Sequence, residues 1–271
     1  MLPAAIIVLL LIAVAVYARF IEPNIIIVRR VRINRQLNLG TDKPLRISLL
    51  SDFHYPRYAH QKLVRRAIEL SNQFDPDLVF ILGDFFDKNK NDPAVLPNNV
   101  GTVFSGIQSR FGVFGVLGNH DHWFDEEAIR NLLASETNIQ LVDNSSVPIS
   151  LPRGVLYIAG VGDLWSQNVD YKRAVANVPQ SSPILLLSHN PDVVELLHDP
   201  RILIRFSGHT HGGQIRLPFI GALRVPSAFG NRYAKGLVTR GNHPLYVNCG
   251  ICSMKRIRFL CPPETTWVEL Y

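Results

Sequence analysis

Apolar residues in this chain fall into short dense runs, each ended by an abrupt polar cluster. The runs at 45–50, 78–82, 113–117, 156–161, 184–187 and 202–206 are rich in Val, Ile and Leu. They have the length and near-continuous hydrophobicity of strands buried on both faces. Between them, 62–71, 126–134 and 193–197 carry helical spacing, with Asp125 placed as an N-cap. Such alternation predicts an α/β domain. Upstream, Ile25-Ile26-Ile27-Val28 and the alternating Arg30-Val31-Arg32-Ile33 predict extended edge strands that contribute packing and no chemistry. There is no internal repeat and no low-complexity segment. Two stretches, 88–99 and 216–235, fit neither pattern. Both hold Pro or Gly and both adjoin polar clusters, so they are expected to rim a site.

The first residues follow a different rule. Residues 2–18 carry no charge, and Arg19 closes the run. Their length is at the lower limit for a span, which needs about 17 to 25 residues. No Lys or Arg precedes the run, as one would before a cleaved signal peptide, so an uncleaved anchor is expected. Arg19, Arg29, Arg30, Arg32 and Arg35 all follow it, which by the positive-inside tendency puts the body in the cytoplasm. The expected organisation is an anchor at 1–22, juxtamembrane strands at 23–44 and one catalytic domain at 45–271. A chain of 271 residues, 47% hydrophobic, supports a single large core. Its formal charge of +6 suits an anionic partner without saying which. Cys249, Cys252 and Cys261 are odd in number and crowded near one end, unlike a disulfide scaffold, and favour a reducing compartment.

Five polar clusters follow apolar runs: Ser51-Asp52-Phe53-His54, Gly83-Asp84, Gly118-Asn119-His120-Asp121, Ser188-His189-Asn190 and Gly208-His209-Thr210-His211. Four come directly off a strand, the end where open α/β sheets bind ligands. Carboxylates, imidazoles and an amide oxygen are the donors of hard or borderline divalent metals, with no thiolate required. In Asp52-x-His54 and His209-x-His211, residues two apart on an extended backbone would point the same way. One Asp at a strand end is ordinarily a turn residue, and one His is ordinarily a satisfied core or surface group. Five such clusters in this order have no common packing reason.

The order Asp-x-His, Gly-Asp, Gly-Asn-His-Asp, a later His and Gly-His-x-His resembles the calcineurin-like metallophosphoesterase family, over residues 45 to 261. The extended Gly208-His209-Thr210-His211-Gly212-Gly213-Gln214, with an apolar N-terminal segment, is similar to a membrane-associated bacterial branch. That branch includes hydrolases of the UDP-diacylglucosamine precursor of lipid A. The resemblance implies a four-layer α/β/β/α sandwich around a pair of mixed sheets. It implies two divalent metals, manganese foremost, with iron, zinc or cobalt compatible with the same donors. Asp52, His54, Asp84 and His211 would hold the first, and Asp84, Asn119, His189 and His209 the second, with His120 a catalytic non-ligand. It further implies a single-pass protein of the inner membrane, with a phosphate-containing substrate such as a glycolipid, and membrane lipids as neighbours.

Two cations about 3.5 to 4 Å apart can share a hydroxide in line with phosphorus, so no protein nucleophile is needed. His120 is then the candidate to protonate the leaving oxygen, while Asp121 either orients that ring or ties down the turn. His122 is expected on an exposed loop, and nothing is assigned to His60 or Trp123. Arg216 and Arg224 are candidate substrate contacts. With Arg232 and Lys235, interleaved with Leu217, Phe219, Ile220, Leu223 and Phe229, they could read phosphate and acyl chain, or simply cover the core. Cys249-x-x-Cys252 has no second pair and reads as structural, and Asn248-Cys249-Gly250 departs from the family, where small residues follow this Asn. No basic helix points to nucleic acid, and the juxtamembrane arginines have anionic lipid as their simplest partner. A phosphatase or nuclease on a soluble substrate, and a non-enzymatic metal-retaining scaffold, remain as alternatives.

Overall fold

The computed structural model describes residues 2–35, 43–87, 96, 99–152, 154–240, 243–252 and 254–271. Most of the 88–99 stretch expected to rim the site lies outside the described residues. The strands are β1 (Ile27–Ile33), β2 (Leu45–Leu50), β3 (Leu78–Leu82), β4 (Val113–Val116), β5 (Ile139–Leu141), β6 (Ser145–Leu151) and β7 (Gly154–Gly160). They continue with β8 (Ile184–Leu187), β9 (Ile202–Ser207), β10 (Arg216–Leu217), β11 (Gly221–Ala222), β12 (Gly236–Arg240), β13 (His243–Val247) and β14 (Glu264–Leu270). The helices are α1 (Leu2–Val16), α2 (Gln61–Asn72), α3 (Val100–Phe104), α4 (Asn119–Glu136) and α5 (Tyr171–Ala174).

Two six-stranded mixed sheets form the centre, ordered β1-β14-β2-β3-β4-β5 and β12-β13-β9-β8-β7-β6. In the first, β2 to β5 run parallel, as do β7, β8, β9 and β13 in the second. Alternate residues of one strand serve two different cores, which is why these strands read as unbroken apolar runs. Ile47, Leu49, Phe80 and Leu82 meet Ile158, Leu185, Ile204 and Phe206 between the sheets. Leu50, Val79 and Ile81 face outward onto Val64, Ile68, Phe104, Ile129 and Leu133 of α2, α3 and α4. Behind the second sheet, Ala159, Ile184 and Leu186 pack against Ala174 of α5 and Val193 of a 3-10 turn. The result is the expected α/β/β/α sandwich, thinly covered on its second outer face.

The six apolar runs all became strands, whereas β5, β6 and β10 to β14 lacked a comparable signal. The alternation in β14, Glu264-Thr265-Thr266-Trp267-Val268-Glu269-Leu270, is broken by polar residues buried near the site: Glu264, Thr265 and Thr266 are each 1% exposed or less. Helix α4 begins seven residues before the amphipathic stretch read from sequence. Asp125, extended at φ −172° and ψ 94°, breaks it internally. The Asp125 carboxylate accepts from Ala128 N at 3.0 Å, which is the N-cap role read from sequence.

The strand β1 forms the edge of the first sheet, parallel to β14. Its arginines are engaged within the protein: Arg29 pairs with Glu264 at 2.8 Å, Arg32 with Glu269 at 2.9 Å, and Arg30 lies over the Trp267 ring. These side chains therefore have partners other than lipid. Upstream, residues Pro3–Asn24 are long and apolar enough to cross a membrane, and only 6% of the apolar 18-residue window within them is buried, unlike the core helix of a soluble protein. The span is not loosely appended at its base. Glu22 is 1% exposed and accepts from the backbone N–H groups of Leu260 and Cys261, while Arg258 N donates to Ala18 O at 2.9 Å.

Candidate metal centre

All five polar clusters converge where β2, β3, β4, β8 and β9 end. Asp52, His54, Asp84, Asn119, His189, His209 and His211 are each no more than 4% exposed. Asp52, His54 and His211 present donor atoms within 4.8 Å of one another, and so do Asp52, Asp84 and His189. His54 Nε2 lies 3.2 Å from His211 Nε2 and 3.5 Å from Asp84 Oδ2. Across the site His189 Nε2 lies 3.2 Å from both Asp84 Oδ2 and His209 Nδ1. Asp84 thus stands between the two groups.

The local backbone is not what the two-residue spacing suggested. Asp52, His54, Asp84, His209 and His211 all lie in the left-handed region, with φ of 52°, 46°, 54°, 69° and 49°. Each pair does face one cavity, but by tight left-handed turns and not by extended alternation. Such conformations cost roughly 1 to 3 kcal/mol apiece in non-glycine residues and persist only where the surroundings hold them. The surroundings include glycines that leave no room for a side chain. A Cβ on Gly118 would overlap Asp84 Oδ1, and one on Gly208 would sit 2.7 Å from Asp52 Oδ2.

Hydrogen bonds fix the ring orientations. His189 Nδ1–H donates to Leu82 O at 2.7 Å, and His211 Nδ1–H donates to Cys252 O at 3.1 Å. His211 then turns an Nε2 lone pair inward, as metal-ligating histidines held by a carbonyl do, and His189 turns its Nε2 edge toward Asp84. Burial, the largest influence, pushes His54, His209 and His211 below the usual imidazole range, into the neutral form that ligates. Burial acts the same way on His189, but Asp84 outweighs it and holds that ring up at about 10. Asp84 in turn resists burial, because His189 and His54 keep it well below the carboxylate range. Asn119 Oδ1 and His209 Nε2 are buried with no hydrogen-bond partner among the described residues. Orphaned buried donors and acceptors of this kind, with oxygen and nitrogen ligands on both sides of one carboxylate, fit two divalent cations.

His120 sits at the mouth, its side chain 17% exposed, with its ring centroid 4.6 Å from that of His54. Its backbone N–H donates to Asp84 Oδ1 at 2.9 Å. Of the two roles open to Asp121, the structure selects the turn: its carboxylate accepts from the backbone of Phe85, Phe86 and Gly118, and burial raises it to about 7. The carboxylate beside the His120 ring is Asp87, with Oδ1 3.3 Å from Nδ1. Burial lowers the His120 ring, yet its hydrogen bond to Asp87 and the Asp84 charge raise it overall. Sequence reasoning passed over Asp87, although it stands three residues after Asp84 in the same polar exit from β3.

Other expectations resolve simply. His60 is an N-cap of α2, its Nδ1 accepting from Leu63 N at 3.1 Å. His122 is not on an exposed loop: it lies in α4, its side chain is 7% exposed, and its Nδ1 is 2.7 Å from Glu126. The stretch 216–235 contains a small hairpin, β10 and β11, whose Phe219 and Ile220 are fully exposed and 66% exposed. It is tied to the body by Asp192, which accepts from the Ser227 hydroxyl and Ala228 N. Arg216 donates to Gly212 O at 3.0 Å beside the His-x-His turn, while Arg224 is exposed beyond the hairpin. The three cysteines are buried thiols that form no disulfide. Sequence reasoning also missed Arg258, whose fully buried guanidinium donates to the carbonyls of His211, Cys249, Cys252 and Cys261 and so binds the site loops together.

The comparisons agree with this geometry. A family model described as calcineurin-like phosphoesterase matches residues 45–213. The phosphodiesterase YaeI of Escherichia coli K12 is 34% identical over 84% of this chain and 82% of its own length. The UDP-2,3-diacylglucosamine pyrophosphatase LpxG of Chlamydia muridarum is 26% identical over 92% of this chain and 90% of its own. Among solved structures, TT1561 of Thermus thermophilus shares the fold, with a TM-score of 0.50 and 13% identity over 77% of this chain and 90% of that one. The chain therefore belongs to the calcineurin-like phosphoesterase family and is a metal-dependent hydrolase of phosphoric esters or pyrophosphates.

Proposed function

We propose that this protein hydrolyses a phosphodiester or pyrophosphate bond of a membrane lipid, with the UDP-diacylglucosamine precursor of lipid A as its sharpest candidate. The observation that carries the reading is the buried Asp84 carboxylate, with its Oδ2 3.5 Å from His54 on one side and 3.2 Å from His189 on the other. In this reading Asp52, His54, Asp84 and His211 hold one divalent cation, and Asp84, Asn119, His189 and His209 the other. Bound there, two cations supply Lewis acidity toward the phosphoryl oxygens and an activated water. Asp84 would contribute its negative charge to holding both. Asp87 holds His120 Nδ1 at 3.3 Å, leaving Nε2 as the edge that protonates the leaving oxygen. The oxygen and nitrogen donors suit manganese first, and iron, zinc or cobalt as well.

The lipid part of the reading is supported by three features. The apolar span is almost wholly exposed, the hairpin beside His211 carries Arg216 with exposed Phe219 and Ile220 and is followed by exposed Arg224, and LpxG is a relative. We infer that 1–22 anchors the chain in the inner membrane with the catalytic domain in the cytoplasm. The anchor must be cut short of Glu22 to be tested, because Glu22 holds Leu260 and Cys261. Deleting residues 2–16 should leave hydrolysis of a small soluble aryl phosphodiester intact, since every proposed ligand lies elsewhere. Turnover of a lipid-linked pyrophosphate in vesicles should fall, because tethering raises the local concentration of enzyme at the surface. Equal effects on both substrates would defeat the lipid reading and favour a soluble phosphate ester.

A further inference from the structure

Two tryptophans at the mouth of the metal centre have no place in the core. Trp123 is 55% exposed and Trp165 is 45% exposed. They come from separate elements, the first turns of α4 and the loop after β7, yet their rings lie 6.2 Å apart and only 22° from parallel. Each also leans on a histidine of the site. Trp165 meets His209 edge to face at 4.3 Å, and Trp123 lies 5.1 Å from His120. The pair therefore spans from the proposed metal ligands to the proposed proton donor.

Trp165 is held in place by polar bonds that would be superfluous for a loose loop. Asp163, fully buried, accepts from Ser166 N at 2.7 Å. Asn144 accepts from Gly162 N and Asp170 N, both at 2.9 Å, and donates to Asn168 O at 2.7 Å. A large aromatic surface kept rigid and left wet beside a reaction centre has the features of a recognition surface and not of a folding contact.

Resting on the metallophosphoesterase reading of the site, we propose that Trp123 and Trp165 form a platform for a planar aromatic ring attached to the substrate phosphate, a nucleobase or an aryl group. The two faces are too close to admit a ring between them, since each stacked contact takes at least about 4.5 Å between centroids. Stacked on one another and nearly parallel, they instead leave exposed outer ring surface on which a further planar ring can stack. A flat rigid aromatic surface suits a flat rigid ligand, whereas the exposed Phe219 and Ile220 stand apart on the β10–β11 hairpin. A nucleotide-linked lipid would then be read twice, base on the tryptophans and acyl chain at the hairpin.

Direct binding tests this without turnover. Manganese-loaded full-length protein in detergent is titrated calorimetrically with UMP, AMP and ribose 5-phosphate, which lacks only the base. Both nucleotides should bind roughly 10- to 100-fold more tightly than ribose 5-phosphate, the ordinary worth of stacking one base on an aromatic face. Trp123→Ala and Trp165→Ala should each shrink that gap and leave ribose 5-phosphate affinity unchanged, while Trp165→Phe should retain part of it. Equal binding of all three ligands to the parent protein overturns the platform alone. A gap that survives in both alanine variants does the same. If Trp165→Phe loses bound manganese, the ring is shielding His209 and the recognition role is wrong. If no phosphate ligand binds the metal-loaded protein at all, the reading of the site fails and the platform fails with it.

Discussion

Strands β2, β3 and β9 have two ends, and the ends differ in kind. At the carboxyl ends Asp52, Asp84 and His209 are buried, left-handed and turned toward one another. At the amino ends Arg46 pairs with Asp75, whose side chain is 92% exposed, and Arg201 pairs with Asp199 at 2.6 Å. A cavity of about 820 Å³ opens there among Lys43, Arg46, Asp77 and Arg110. It is roomy, but its charges are of both signs and paired near water, where each pair is worth no more than about 1 kcal/mol. At the other end carboxylates stand with imidazoles instead of with Lys and Arg, all of them are desolvated, and their donor atoms cluster together. Volume therefore does not locate the chemistry in this molecule. Desolvation with unsatisfied donors and strained backbone does.

The comparison breaks most sharply at Asp84. Asp84→Ala should reduce phosphoester hydrolysis to background and lower bound metal, because the carboxylate shared by both donor groups is gone. Metal content by mass spectrometry beside the rate of an aryl phosphodiester checks this, and full activity with two metals retained would overturn the site. His120→Ala should keep the metals and slow turnover by about 10² to 10⁴, the worth of a positioned acid or base. Metal loss in that variant would make His120 a ligand. Gly118→Ala should preserve the fold by circular dichroism and slow turnover by about 10², as a displacement of about 1 Å does at a reacting centre. The cause would be a new methyl group pressed against Asp84.

The smallest effect belongs to the far end. Asp199 is held down at about 2, chiefly by its hydrogen bond to Arg201. A carboxylate lowered on folding stabilises the protein above its unfolded value of about 3.9, and the benefit is lost as pH falls toward about 2. Asp199→Asn should thus cost about 1 kcal/mol or less near pH 7 and progressively less in acid, without changing turnover. Thermal melts at several pH values measure it. A loss of activity would show that the two ends are coupled.

Much of this was legible along the chain because a buried parallel strand must be apolar on both faces and must end where its backbone meets solvent or a ligand. The runs at 78–82 and 184–187 marked β3 and β8 to the residue. The polar clusters after them named the convergent side chains, since desolvated carboxylates and imidazoles have no reason to follow such strands unless they bind something. Strand β14 was illegible for the converse reason. Glu264 and Thr266 are buried, with Glu264 satisfied by Tyr246 and Thr266 by Glu264 and Asn248, partners remote in sequence or polar themselves, so no alternation survives.

Residue type and order by themselves determined the α/β class, the five clusters and the apolar N-terminal span, because each depends on local periodicity or composition, while the four-layer sandwich was implied only by the family resemblance. Tertiary structure alone decided which carboxylate serves which histidine. Asp121 is next to His120 in sequence, but its oxygens are consumed by backbone N–H groups of Phe85, Phe86 and Gly118, and Asp87 from another strand exit takes its place. It also brought Trp165 to Trp123 from a different strand exit and joined Glu22 to Cys261. Hydrogen bonds and ring contacts act over a few ångströms, and only the folded chain brings such distant residues that close.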